Sequence, residues 1–138
     1  MPVTTRFPVR YREVDMMGHV NNAAYVSYLE DARVAYVRRL GAAAQLDPSA
    51  FPFILARVEV DYRAPLHLGD EVEIAIEVAR IGRSSFDFAY RMTRAREPSL
   101  VAEARTVQVW YDYAKGASAE IPPWFRDAVA RVAGERTP

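Results

Sequence analysis

Residues 11–33 read YREVDMMGHVNNAAYVSYLEDAR. Within this stretch an acid, Asp15, is followed by the turn Gly18-His19-Val20 and by Asn21-Asn22. Then Tyr25, Tyr28, Leu29, Ala32, Ala35, Tyr36 and Leu40 recur at the spacing of one helical face. The stripe predicts an amphipathic helix over 22–40, with Asn21 or Asn22 capping its start and Gly41 ending it. Asp15 therefore falls in the loop just ahead of a helix N-terminus. Such an end presents unpaired backbone N–H groups and a partial positive charge. A carboxylate beside it is either a helix cap or a base or nucleophile next to an oxyanion site.

Upstream, residues 6–14 suggest a first strand with Pro8 near its start. Residues 42–52 are a Pro-containing connection, and from Phe53 the apolar period changes to two. Val58, Val60 and Tyr62 alternate with charged residues, and Val72, Ile74, Ile76 and Val78 alternate with Glu71, Glu73, Ala75 and Glu77. Phe86, Phe88, Tyr90 and Met92 form a third alternation after the tight IGRSS turn. In the last long strand, from Leu100 to about Tyr113, the pattern slips. Val107, Val109 and Tyr111 share a face with Glu103 and Arg105, which a bulge or a change of environment would explain. A short helix is expected from about Pro123 to Val132.

Strand, long helix and four strands on short turns predict an α+β chain with a five-stranded antiparallel sheet, the last four strands forming a meander. The long helix is the element large enough to cover the apolar sheet face, so the sheet should wrap around it. One helix covers only part of five strands. The remainder and the open strand edges point to self-association, as a homodimer or homotetramer.

The chain of 138 residues suits one domain, 1–138, and its 51% hydrophobic content suits a real core. With 18 basic and 18 acidic side chains, it lacks the basic excess expected of a dedicated nucleic-acid or membrane-surface protein. The absence of cysteine excludes disulfides, a thiolate nucleophile and Cys metal ligands. Two histidines, His19 and His67, argue against a His-rich metal site. The N-terminus lacks a signal-peptide core, and no apolar run has the length of a membrane span. The expected setting is the cytoplasm, with no metal and no cofactor.

The motif YREVDMMGHVNNAAYVSYLEDAR resembles the hotdog-fold acyl-CoA thioesterases of the 4-hydroxybenzoyl-CoA thioesterase-like group. DYRAPLHLGDEVEI, IGRSSFDFAYRM, AEARTVQVWYD and IPPWF extend the resemblance over nearly the whole chain. It implies a hotdog fold and hydrolysis of an acyl-CoA by the carboxylate before the central helix, here Asp15. A second acid commonly stands two residues earlier, here Glu13. The resemblance places the oxyanion donor at the backbone N–H of Asn22. It places a CoA phosphate contact at Arg83, with Arg80 nearby, and a contact to a ring hydroxyl at Glu30.

Read on their own, these residues carry plain alternatives. An ionised Asp15 either attacks the thioester carbonyl to form a mixed anhydride or activates water. His19 is a candidate base, but a turn histidine more often fixes its loop. Asn21 and Asn22 act more naturally as caps than through substrate contacts. Glu30 and Arg33 have the i,i+3 spacing of an ion pair. Arg80 and Arg83 are either solvated turn charges or phosphate ligands. Tyr25, Tyr28 and Tyr36 read as core or interface. Met16 and Met17, in a loop that should be polar, suggest an apolar pocket or interface beside Asp15. Two rival functions stand beside the thioesterase: a dehydratase or hydratase built on His19 and Glu30, and a non-catalytic acyl-thioester binding protein.

Overall fold

The computed structural model describes residues 2–135. Strand β1 spans Val3–Pro8. Helix α1 spans Asn22–Ala44. Strands β2 (Phe53–Tyr62), β3 (Glu71–Ile81), β4 (Ser85–Arg94) and β5 (Leu100–Asp112) follow. A two-residue strand β6, Ala117–Ser118, pairs with the end of β5 and leads to helix α2, Pro123–Gly134.

The strands lie in the order β1-β3-β4-β5-β2, each antiparallel to its neighbour. This is the expected α+β hotdog arrangement, with the sheet curled around α1. The meander, however, holds only for β3, β4 and β5. Strand β2 pairs with β5 rather than β3, and residues 63–70 carry the chain from one side of the sheet to the other. Period-two alternation records which face a residue occupies, not which strand lies beside it, so the crossover left no mark in the pattern.

Helix α1 buries Tyr28, Leu29, Ala32, Tyr36 and Leu40 at 2% exposure or less. They pack on Ile74 and Ile76 of β3 and on Phe88 and Met92 of β4, all buried. Tyr36 meets Phe88 edge to face with centroids 5.0 Å apart. Where α1 ends, α2 takes over as the cover: Phe125 sits 4.9 Å from both Phe86 and Trp110, ring to ring. Part of the sheet assigned above to self-association is thus covered within the chain.

The first strand is shorter and earlier than its pattern suggested. After Pro8 the chain leaves the sheet and makes a 3₁₀ turn over Tyr11–Glu13. There Glu13 Oε1 accepts from the Arg10 backbone N–H at 2.8 Å and from the Tyr28 hydroxyl at 2.6 Å. Burial pushes the Glu13 carboxyl up, but the Tyr28 and Arg10 bonds outweigh it and hold it below its usual value.

Gly41 does not end α1. The helix runs on to Ala44, and Gln45 takes the left-handed conformation at φ 57°. Leu46 N–H then closes on the Gly41 carbonyl at 2.9 Å, and Gln45 N–H on that of Ala42 at 3.4 Å. Gly41 is required for space. A Cβ there would stand 2.8 Å from the Leu46 carbonyl oxygen and 3.1 Å from Pro48 Cγ.

Gly41→Ala should therefore lower Tm, although the same change in an open helix interior stabilises by roughly 0.5–1 kcal/mol; thermal unfolding checks the sign. Because the Glu13 carboxyl is lowered on folding, its contribution is present above the ordinary carboxylate value. It is lost as pH falls through the folded value. The Tm gap between the wild type and Glu13→Gln should accordingly narrow between pH 7 and pH 3, followed by circular dichroism.

Candidate active site

The loop between the 3₁₀ turn and α1 is closed by its own backbone. Asp15 N–H bonds the His19 carbonyl at 2.8 Å, and Gly18 N–H bonds the Asp15 carbonyl at 3.0 Å. Gly18 holds φ 79°, where a side chain would be strained. Val20 N–H anchors the loop to Leu66 and Asn21 N–H anchors it to Glu13, at 2.8 and 2.9 Å.

The Asp15 carboxylate is held through one oxygen. Oδ1 accepts from Met17 N–H at 2.8 Å and from His19 N–H at 3.3 Å. Among the described residues, no donor reaches Oδ2. The capping role belongs to Asn21, whose Oδ1 accepts from Ala24 N–H at 3.0 Å. Asp15 is thus an exposed carboxylate in an Asx turn with one oxygen free, and the cap reading falls away.

Asn22 is the first residue of the helix, and no acceptor among the described residues takes its N–H. Asp15, His19, Asn22, Tyr25, Tyr62 and Arg63 line one cleft of about 320 Å³. Tyr62 roofs it from the end of β2: its hydroxyl donates to the Asn22 carbonyl at 3.2 Å, and its ring meets buried Tyr25 edge to face at 5.0 Å. Sequence reasoning missed Tyr62 as a site residue, because alternation marked it only as a core position.

His19 works on Asp15 through its backbone. Its imidazole instead packs edge to face on that of His67, 5.0 Å between centroids, where the two residues form an isolated bridge. Met16 and Met17 project into solvent, at 103% and 78% exposure, so nothing among the described residues covers the apolar side chains beside Asp15.

The remaining sequence candidates lie elsewhere. Glu30 is exposed two helical turns beyond Asn22 and lines a different cleft, together with Arg33, Phe53, Leu55 and Gln108. The Glu30–Arg33 ion pair does not form. Arg33 Nη1 donates to the Tyr90 hydroxyl at 3.2 Å instead. Arg80 and Arg83 flank the β3–β4 turn, at the opposite end of β3 from the Asp15 loop. An 11-residue strand separates the two ends by roughly 35 Å. Arg80 is occupied there: its Nη2 reaches Ser85 Oγ at 3.0 Å and the buried carboxylate of Asp87 at 3.1 Å. The Arg83 guanidinium is exposed, with no side-chain bond or ion pair among the described residues. No three His, Asp or Glu side chains among these residues converge as a metal site, and no helix is long and apolar enough to cross a membrane.

A free carboxylate oxygen and an open helix N-terminus in one cleft, on a hotdog scaffold, define a candidate thioester-cleaving site. The family model of the thioesterase-like superfamily matches residues 9–129, and the chain belongs to that family. It is similar to the acyl-CoA thioester hydrolase YbgC of Escherichia coli O6:H1, with 32% identity over 120 residues covering 85% of this chain and 89% of that one. The long-chain acyl-CoA thioesterase FadM of Escherichia coli K12 is 27% identical over 108 residues, covering 78% and 82%. Among solved structures, a thioesterase of Thermus thermophilus complexed with coenzyme A and Zn superposes with a TM-score of 0.86. The two are 35% identical, over 99% of this chain and 97% of that one. The chain is a thioester hydrolase.

The two roles of the motif separate by mutation. Asn21→Ala removes a helix cap and should cost about 1 kcal/mol, or about 3–5 °C in Tm. Asp15→Asn keeps an acceptor oxygen for the turn and should leave Tm within about 1 °C of the wild type, a shift within ordinary surface-substitution range. Scanning calorimetry of both variants checks the contrast.

Proposed function

We propose that the protein is an acyl-CoA thioesterase, with Asp15 as the reacting carboxylate and the backbone N–H of Asn22 as oxyanion donor. The observation that carries the reading is the pairing of a free Asp15 Oδ2 with an unclaimed Asn22 N–H in one cleft. The thioester carbonyl carbon meets Asp15, or a water that Asp15 deprotonates. The oxygen gathers charge at the helix N-terminus, where removing one such donor typically costs about 10²–10³ in rate. The CoA thiolate leaves and is protonated, and water supplies the oxygen of the released acid. Both routes need an ionised Asp15 with an oxygen not already bonded, and both fit the names of the relatives.

The dehydratase alternative finds less support, since His19 faces His67 while Glu30 lines another cleft. The binding-protein alternative leaves the free carboxylate without a task.

The site is completed by a second copy of the chain. Strand β2 is an edge strand ten residues long, with Ile54 and Leu55 exposed. Long open edges of this kind are normally paired. Antiparallel pairing of two β2 strands lays the Tyr62 end of one copy beside the Phe53 end of the other. The Asp15 loop of one copy then approaches the cleft and the Arg83 turn of its partner, which bridges the long separation seen within one chain. Arg83 holds the CoA phosphates in this arrangement, with Arg80 bound to Asp87 behind it. Met16 and Met17 gain a neighbour as well.

Asp15→Asn should lower kcat by about 10²–10⁴-fold on a panel of acyl-CoAs, measured as free thiol release; a fully active variant would refute the assignment. Arg83→Ala should raise KM for acyl-CoA by about tenfold, the worth of one charge-assisted contact, and far less for the matching acyl-pantetheine. Co-expressed Asp15→Asn and Arg83→Ala chains should recover low-KM activity, because a mixed dimer holds one site with both groups intact. If both groups act within one chain, the mixture shows only the high-KM activity.

A further inference from the structure

The sequence holds two histidines, and the fold brings them together. The rings of His19 and His67 meet edge to face, 5.0 Å between centroids. They do so at the isolated bridge that joins the Asp15 loop to the crossover segment 63–70. His19 is also the residue through which the loop holds Asp15. Its N–H donates to Asp15 Oδ1, and its carbonyl accepts from Asp15 N–H. Whatever fixes the His19 backbone therefore fixes the carboxylate.

His67 is the anchored member of the pair. Leu66 beside it is fully buried. Asp70 closes the turn: its Oδ2 accepts from His67 N–H at 2.9 Å, and its N–H donates to the His67 carbonyl at 3.1 Å. Arg94 of β4 ties this turn to the sheet. Its Nε donates to Asp70 Oδ2 at 3.3 Å, and its Nη2 donates to the Pro65 carbonyl. Val9 N–H reaches the Asp70 carbonyl at 2.9 Å from the other side. The tip of the Asp15 loop has no comparable support, since Met16, Met17 and Gly18 are exposed. The ring of His67 thus links a turn locked to the sheet with the residue that aims Asp15.

The contact carries a chemical condition. Imidazole changes charge between about pH 8 and pH 5. The Asp70 carboxylate, 3.8 Å from His67 Nδ1, compensates a charge on that ring. The nearby cations are already paired, Arg94 with Asp70 and Arg63 with Glu103. A charge on both imidazoles leaves two cations edge to face, and like charges at this separation repel.

We propose that His67 is a positioning residue for thioester hydrolysis. Its ring, packed on that of His19, holds the backbone that aims Asp15, and it does so while the two rings do not both carry charge. The inference rests on Asp15 being the reacting carboxylate.

Wild type, His67→Ala and His67→Phe are assayed on one acyl-CoA from pH 8 to pH 5, with Asp15→Asn as control. At pH 8 His67→Ala should lower kcat by about 3–10-fold at nearly unchanged KM, the worth of one edge-to-face pair. His67→Phe keeps a ring against His19 and should restore kcat. On going to pH 5 the wild type should lose about 3–10-fold more of its kcat than His67→Phe. An ordinary carboxylate titrates below this window, and a merely structural contact would not separate the two profiles. Full activity of His67→Ala, no recovery in His67→Phe, or coincident acid limbs overturns the inference. If Asp15→Asn stays active, the reading of Asp15 has failed, and the loop itself is measured by amide hydrogen exchange. Exchange of Asp15 N–H about 3–10-fold faster in His67→Ala, and restored in His67→Phe, then supports the inference; equal rates overturn it.

Discussion

The Tyr28 hydroxyl donates to Glu13 at 2.6 Å, across the gap between the buried face of α1 and the chain that precedes it. Tyr28 is fully buried, so its position is set by the packing of helix on sheet. Glu13 turns that position into a boundary condition for the loop. Its carboxylate takes Tyr28 and Arg10, while its carbonyl takes Asn21 N–H at 2.9 Å. Both ends of the segment 14–20 are thereby fixed to the helix it leads into. A hydrogen bond to a charged acceptor is worth about 1.5–3 kcal/mol. Asp15 sits where it does because a core tyrosine reaches out to hold the acid two residues before it.

The helix was legible because seven apolar positions repeat at one spacing and because asparagine marks its start. Three features were not legible. Gly41 reads as a stop signal, yet it serves the approach of Pro48 and Leu46, a contact that exists only once the chain has folded back. Strand β2 reads as the first arm of a meander, yet it pairs with β5, since alternation carries no information about neighbours. Strand β5 misleads more deeply. Its apolar Val107 and Val109 pair beside Asp87 and Ser85 on the outer face, while polar Thr106 and Gln108 are turned inward to total burial. A rule that sends apolar residues inward assigns this strand the wrong way round.

That inversion explains why one cleft was legible and the other was not. The Asp15 cleft is built largely from a contiguous motif, so most of its parts arrive together in sequence, and only the segment 62–65 comes from far away. The α1–β2 cleft is assembled from residues on α1, the 47–49 turn, β2 and β5, and of its polar members only Glu30 draws notice on its own. Thr106 and Gln108 are ordinary strand residues, and Arg33 is an ordinary helix charge. Only their convergence on Tyr90, with the Gln108 amide oxygen left unpaired, marks the place. A buried unpaired acceptor costs about 1–3 kcal/mol, so such a group stands out in a core that otherwise satisfies itself.

Glu13 and Asp15 lie two residues apart, and their surroundings give them opposite tasks. Both oxygens of Glu13 are engaged, by a phenol, a backbone amide and a guanidinium, and its charge is locked into the structure. Asp15 is held by backbone N–H groups on Oδ1 alone, which fixes its direction but leaves Oδ2 without a donor. Restraint by backbone matters here, because it places no other side chain between the carboxylate and the cleft. A carboxylate with every lone pair engaged stabilises a fold, and one restrained on a single side remains able to accept a proton or attack a carbonyl carbon. The same chain segment thus holds one carboxylate on both oxygens and the other on one alone, and that division, more than the presence of two acids, sets the two apart.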